Sequence, residues 1–78
     1  MTVEIISPDK NIFSGEAKLV SLPGTNGSFE ILDKHAPIIS TLEKGQIKIE
    51  FFNQPDQFFE INGGIVECKN NKVNILVS

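Results

Sequence analysis

Arginine is absent from the 78 residues, cysteine and histidine occur once each, and no apolar run is more than a few residues long. Without Arg the chain lacks the planar guanidinium fork that clamps phosphates and carboxylates bidentately, which disfavours a nucleotide or phosphoryl-transfer role. The seven Lys are scattered and outweighed by ten Asp and Glu, for a net charge of −3. Nucleic-acid binding needs clustered cations that displace counterions, so no nucleic-acid partner is expected. A single Cys68 permits no intramolecular disulfide and argues against a small secreted scaffold. Residues 1–25 hold no basic segment followed by an apolar run, hence no signal peptide. No stretch approaches the roughly 20 apolar residues needed to span a bilayer, so membrane association is expected only indirectly, through a protein partner. The chain reads as soluble and intracellular.

What is present is strand pattern. With 40% apolar residues the chain can build one core, although a chain of this size buries only about 60–65% of its extended surface. Thr2 to Ile6 places Val3 and Ile5 on one face, and Pro8-Asp9-Lys10-Asn11 turns the chain. Ile12 and Phe13 lead into a break at Ser14-Gly15. Ala17 to Leu22, Phe29 to Leu32 and Ile38 to Leu42 are further extended runs. Gly45 to Phe52 alternates most cleanly, with Ile47, Ile49 and Phe51 opposite Gln46, Lys48 and Glu50. Asn53-Gln54-Pro55-Asp56 makes a hairpin loop back into Phe58 to Ile61. Gly63-Gly64 separates that strand from Ile65 to Cys68, and Asn70-Asn71 suits a two-residue turn that demands positive φ before Val73, Ile75 and Val77. No window of a dozen residues carries a helical period. The pattern predicts one all-β domain over residues 1–78, a two-sheet sandwich of about ten short, mostly antiparallel strands.

Few residues suggest chemistry. The loop Leu22-Pro23-Gly24-Thr25-Asn26-Gly27-Ser28 lacks the Lys-Ser/Thr and the following helix of a phosphate cradle. Glu30 and Asp33, three apart on a strand, fall on opposite faces and cannot form the facing pair of acid–base hydrolysis. A metal site at His35 would find only Cys68 as a further His or Cys ligand. Cys68, at the end of an apolar run, reads as a small buried hydrophobe rather than a nucleophile. No catalytic, cofactor or metal site is expected. The pairs Phe51-Phe52 and Phe58-Phe59 must each turn one ring inward and one outward, and exposed rings are candidates for a protein contact. The residues by themselves support a non-catalytic binding or structural module.

The order of motifs says more. Ser7-Pro8-Asp9 with Ile12-Phe13-Ser14-Gly15-Glu16-Ala17, then Leu22-Pro23-Gly24 through Phe29-Glu30-Ile31-Leu32, then His35-Ala36-Pro37-Ile38-Ile39-Ser40-Thr41-Leu42, Gly45-Gln46-Ile47-Lys48-Ile49 and the close Gly63-Gly64 through Ile75-Leu76 together resemble the epsilon subunit of F-type ATP synthases. The match is collinear over nearly the whole chain. It implies a ten-stranded sandwich of the epsilon N-terminal type, a non-catalytic rotor subunit of the central stalk that links the gamma subunit to the c-ring and couples proton transport to ATP synthesis. It further implies a peripheral location at the cytoplasmic face of the bacterial inner membrane. By position, Ser28, Phe29, Glu30 and His35 would contact the c-ring, and Ser7, Ser40 and Leu42 the gamma subunit.

Two departures stand out. Glu30 and Asp33-Lys34 replace a Gly and a Pro-Gly common in the family, which removes backbone freedom there. The family's C-terminal helical hairpin has no counterpart, so its inhibitory and ATP-sensing roles do not carry over; a chain running from Met1 to Ser78 is expected to be a short form. The rival reading is a free-standing β-sandwich adaptor or ligand-binding module unrelated to rotary motors.

Overall fold

A computed structural model describes all residues from Met1 to Ser78. The alternation seen in the sequence becomes nine strands: β1 (Thr2–Ile6), β2 (Asn11–Glu16), β3 (Leu19–Leu22), β4 (Phe29–Leu32), β5 (Ile38–Leu42), β6 (Gly45–Glu50), β7 (Gln57–Ile61), β8 (Gly64–Lys69) and β9 (Lys72–Val77). They form a five-stranded sheet ordered β2-β1-β9-β8-β5 and a four-stranded sheet ordered β4-β3-β6-β7. Every pairing is antiparallel except that of β1 with β9.

The segment around Gly24 does not become a tenth strand. It makes only an isolated bridge to Leu42, because Pro23 has no N–H to donate and the chain turns away at Gly27 (φ 125°). Ser14-Gly15 is no break either: β2 runs through both, with Val3 opposite Gly15 and Glu4 opposite Ser14. The Asn70-Asn71 turn has φ of 53° and 60°, the left-handed pair that a tight hairpin requires.

Between the sheets lies one core of 16 buried residues, among them Val3, Ile5, Val20, Ile31, Ile47, Ile49, Val66, Val73 and Ile75, each 0% exposed. Fully burying an Ile or Val side chain contributes about 1.5–3 kcal/mol. Cys68 joins this core at 2% exposure. Phe51 and Phe59 turn inward onto Phe13, with ring centroids 5.9 and 5.7 Å away in tilted geometry, while Phe52 and Phe58 stay exposed. Gly64 is required by close approach: a Cβ there would run into the Leu76 carbonyl oxygen. No buried side-chain nitrogen or oxygen lacks a hydrogen-bond partner.

Candidate functional site: two unlike surfaces on opposite sheets

The pleat assigns each residue of the five-stranded sheet to a face. Ile5, Ile75, Val66 and Ser40 lie in one cross-strand row and face inward; the next row, Ile6, Leu76, Ile65 and Thr41, faces outward. Two residues further along, the outward row is Glu4, Asn74, Glu67 and Ile39. Four of these outward residues are large aliphatics. Ile39 is 72% exposed, Leu76 54% and Ile65 46%, and with Ile6, Glu67 and Asn74 they line an open hollow of about 400 Å³. Water-facing Ile and Leu clustered on one sheet, rimmed by polar groups, are candidates for a protein-contact surface.

The candidate gamma contacts fall around this surface unevenly. Ser7 follows β1 at its rim, where its N–H and Oγ both donate to the Lys10 carbonyl. It lies level with Leu42, three strand spacings away, roughly 14 Å at about 4.8 Å each. Ser40 is half-buried on the inward side, its Oγ donating to the Thr41 carbonyl at 3.3 Å. Leu42 is a core residue, 4% exposed, so its side chain has nothing to offer a partner. The exposed members of that strand are Ile39 and Thr41.

The candidate c-ring contacts belong to the other sheet. β4 is one of its two edge strands, and Glu30, opposite Ser21, points outward and exposed. Ser28 precedes β4 and His35 follows it, so the strand, roughly 10 Å long at about 3.3 Å per residue, separates them. The Phe29 ring packs against the core, close enough that a Cβ on Gly24 would sit 2.8 Å from it. Glu30 therefore shares the outward face of β4 with the exposed Leu32, Ser28 lies before the strand and His35 after it, and Phe29 packs beneath.

Beyond β4 the chain turns through Lys34, with φ 63°, and the turn is held from the opposite sheet. Asn71 Oδ1 accepts the Lys34 N–H at 2.7 Å, and Asn71 Nδ2 donates to Asp33 Oδ1 at 2.8 Å. The Met1 ammonium donates to the same Asp33 oxygen at 3.3 Å. The Asn71 hydrogen bond first, then the ammonium, hold the Asp33 carboxyl below the ordinary 3.8. His35 Nδ1 lies 2.7 Å from the Ala36 carbonyl oxygen and makes no hydrogen bond to Cys68, whose thiol is pushed up by burial. Lys48 on β6 is also raised, through its 3.0 Å pair with Glu50. No helix of the structure is long and apolar enough to cross a membrane.

The surface formed by Ile6, Ile39, Ile65 and Leu76 escapes a reading of the sequence that looks only for alternation. Its signal is the apolar residue out of phase: Ile6 after Val3 and Ile5, Leu76 between Ile75 and Val77, Ile65 before Val66, and Ile39 beside Ile38.

Comparison with known proteins agrees with this architecture. The family model described as the β-sandwich domain of the ATP synthase delta/epsilon chain matches residues 1–78. The ATP synthase epsilon chain of Delftia acidovorans is 38% identical over 95% of this chain, which spans 54% of that relative. The epsilon chain of Chlorobaculum tepidum is 37% identical over 96% of this chain and is spanned to 85%. This chain thus covers about half of the first relative and most of the second. Among solved structures, a chain of the Tetrahymena thermophila mitochondrial ATP synthase central stalk/c-ring superposes with a TM-score of 0.82 at 22% identity, over 97% of this chain and 61% of that one. A chain of the Euglena gracilis mitochondrial ATP synthase gives 0.89 at 18% identity, over 96% and 48%; both are likenesses of fold. With two-sheet architecture and family match extending over the same residues, the chain belongs to the ATP synthase delta/epsilon-chain β-sandwich family.

Proposed function

We propose that this chain is a non-catalytic rotor component of an F-type ATP synthase, linking the gamma subunit to the c-ring and so coupling proton transport to ATP synthesis. It sits peripherally at the cytoplasmic face of the bacterial inner membrane and reaches the membrane only through the complex. The observation that carries the reading is a pair of unlike surfaces on opposite sheets: an aliphatic one on the five-stranded sheet (Ile6, Ile39, Ile65, Leu76) and, on the other sheet, the β4 edge, where Ser28, Glu30 and His35 flank the exposed Leu32. The aliphatic face suits a permanent partner, since durable interfaces are the more apolar ones, and is assigned to gamma. The polar groups along the β4 edge suit the polar loops of the ring. A densely packed sandwich deforms little under torque, and transmitting torque requires no titrating group.

Co-purification tests this. The chain, co-expressed with gamma, should form a stable complex. Ile65→Lys should weaken it by at least about 30-fold, the size of a 2 kcal/mol hot spot, while the fold is retained. A chain that stays free of gamma would instead favour the independent adaptor.

A further inference from the structure

The edge of β5 carries information that the flat faces do not. Four strands are sheet edges: β2, β5, β4 and β7. Three of them carry an acidic residue, Glu16 on β2, Glu30 on β4 and Glu60 on β7. β5 reads Ile38-Ile39-Ser40-Thr41-Leu42 and has no charge at all. Charged side chains are one defence of an edge against strand addition, and β5 is the one edge that lacks it.

The chain already uses part of that edge. Thr25 N–H donates to the Thr41 carbonyl at 3.1 Å, and Glu43 N–H donates to the Pro23 carbonyl at 2.8 Å. This pair of bonds is the antiparallel bridge of Gly24 with Leu42, a short strand-like addition that ends where the chain turns at Gly27. It also fixes which backbone groups point outward. In a strand, N–H and C=O of one residue point to the same side and alternate along the chain. With the Thr41 carbonyl turned to the free edge, the Ile39 N–H and carbonyl must be turned there too, away from β8. No backbone hydrogen bond outside the strand ladders involves Ile39.

Ile39 is also where two hollows meet. One is the aliphatic hollow of about 400 Å³ already described; the other, about 500 Å³, is lined by Pro37, Ile38, Ile39, Glu67, Cys68 and Lys69. The flanking carboxylates Glu4 and Glu67 take part in no ion pair. Unpaired main-chain groups at Ile39, an aliphatic hollow on one side, a mixed hollow with Glu67 and Lys69 on the other, and carboxylates that form no ion pair behind specify an occupant.

We propose that the edge of β5 at Ile39 is a strand-addition site for an extended, apolar segment of a protein partner, with a Lys or Arg reaching across Ile39 toward Glu67. Resting on the functional reading above, the proposal names that segment as part of the gamma subunit and strand pairing as its mode of docking. Such recognition takes affinity from main-chain hydrogen bonds and selectivity from side-chain hollows. The slot is short: Thr25 blocks it at one end, and Pro37 has no N–H at the other.

Amide hydrogen exchange tests it residue by residue, using the chain alone and the chain in complex with co-expressed gamma. Alone, the Ile39 amide exchanges at least about 100-fold faster than those of Ile38 and Ser40, which face β8; in the complex it slows by at least that factor. If gamma binds and the Ile39 amide remains fast, strand addition is overturned while the rotor reading stands. If gamma does not bind, the rotor reading itself falls, and the named occupant with it. Ile39 protection that appears on concentrating the isolated chain would show self-pairing and overturn the assignment to a different protein. Ile39→Ala, which keeps the main chain, should weaken binding yet preserve the slowed amide at residue 39 in whatever complex forms.

Discussion

Asn71 Nδ2 donates a hydrogen bond to Asp33 Oδ1 across 2.8 Å, joining turns 38 residues apart in sequence. The same Asn71 side chain receives the Lys34 N–H, so one carboxamide from the β8–β9 turn fixes the turn that leads to His35. Both residues of the β8–β9 turn have positive φ, which Gly and Asn tolerate and other side chains resist. Asn71→Gly should therefore remove the clamp without straining the hairpin, destabilising the fold by about 1 kcal/mol per lost hydrogen bond. Asn71→Ala should cost about 1 kcal/mol more, because alanine must also hold the left-handed conformation. Urea melts of both variants check the order, and an alanine variant as stable as the glycine one would contradict it.

The same contact sets a pH dependence. Asp33 has a depressed folded-state pKa, so it binds protons less readily folded than unfolded. Its contribution is present above the ordinary value of 3.8 and is lost as pH falls through the lower folded-state value. NMR titration of the Asp33 carboxyl should give a midpoint below 3.8, returning toward it in Asn71→Gly because that hydrogen bond is the largest cause of the shift. An unmoved midpoint would assign the shift to the Met1 ammonium instead.

Ile39 and Leu42 sit three residues apart on one strand, so they fall on opposite faces. Leu42→Ala removes a core side chain and should cost about 2–5 kcal/mol of stability. Ile39→Ala alters a side chain that is 72% exposed and should leave stability within about 0.5 kcal/mol while weakening association with gamma. Measuring melting and binding on both variants separates core from contact. Equal stability losses would mean that Ile39 is covered within the chain itself.

The distribution of legible and illegible features follows from the same geometry. Two sheets were readable because Val3, Ile5, Ile47, Ile49, Val73, Ile75 and Val77 repeat with period two, and that period is local. The Asn70-Asn71 turn was readable because its φ requirement selects residue types. Partner surfaces were harder. Position along the motif points to Leu42 as a contact, yet the packing of β5 beside β8, which no local pattern fixes, turns it into the core and turns Ile39 out. The bond of Asn71 to Asp33 depends on how two sheets stack, and a polar pair far apart in sequence leaves no periodic trace. Ser14-Gly15 is hard to read for a related reason: a glycine in a strand pattern signals a bend or bulge by itself, and only pairing with Val3 and Glu4 on β1 holds it inside β2.

Cys68 offers a test that reaches beyond stability. Its thiol is 2% exposed and burial raises its pKa, so thiolate is scarce and shielded. Alkylation of the native chain should be slower than that of a free thiol by orders of magnitude and should track global unfolding, accelerating sharply only as denaturant approaches the melting midpoint. A Cys68 that labels rapidly in the native state would demand an opened β5–β8 edge or an activated nucleophile, and either would undermine a purely structural role.

Glu30 is the one charged side chain on the outward face of β4, and it forms no ion pair within the chain. Its exposure means that Glu30→Lys should change stability by no more than about 0.5 kcal/mol. If the β4 edge meets the polar loops of the c-ring, reversing that charge turns an attraction into a repulsion and slows or misplaces docking, since electrostatic complementarity governs register and encounter more than raw affinity. In reconstituted enzyme the ratio of proton transport to ATP turnover should fall in Glu30→Lys and be kept in Glu30→Gln to a greater degree, and both losses should shrink as salt screens the contact. Coupling that is untouched by the reversal at low salt would remove Glu30 from the ring interface and leave the aliphatic face of the other sheet as the only surface with an assigned partner.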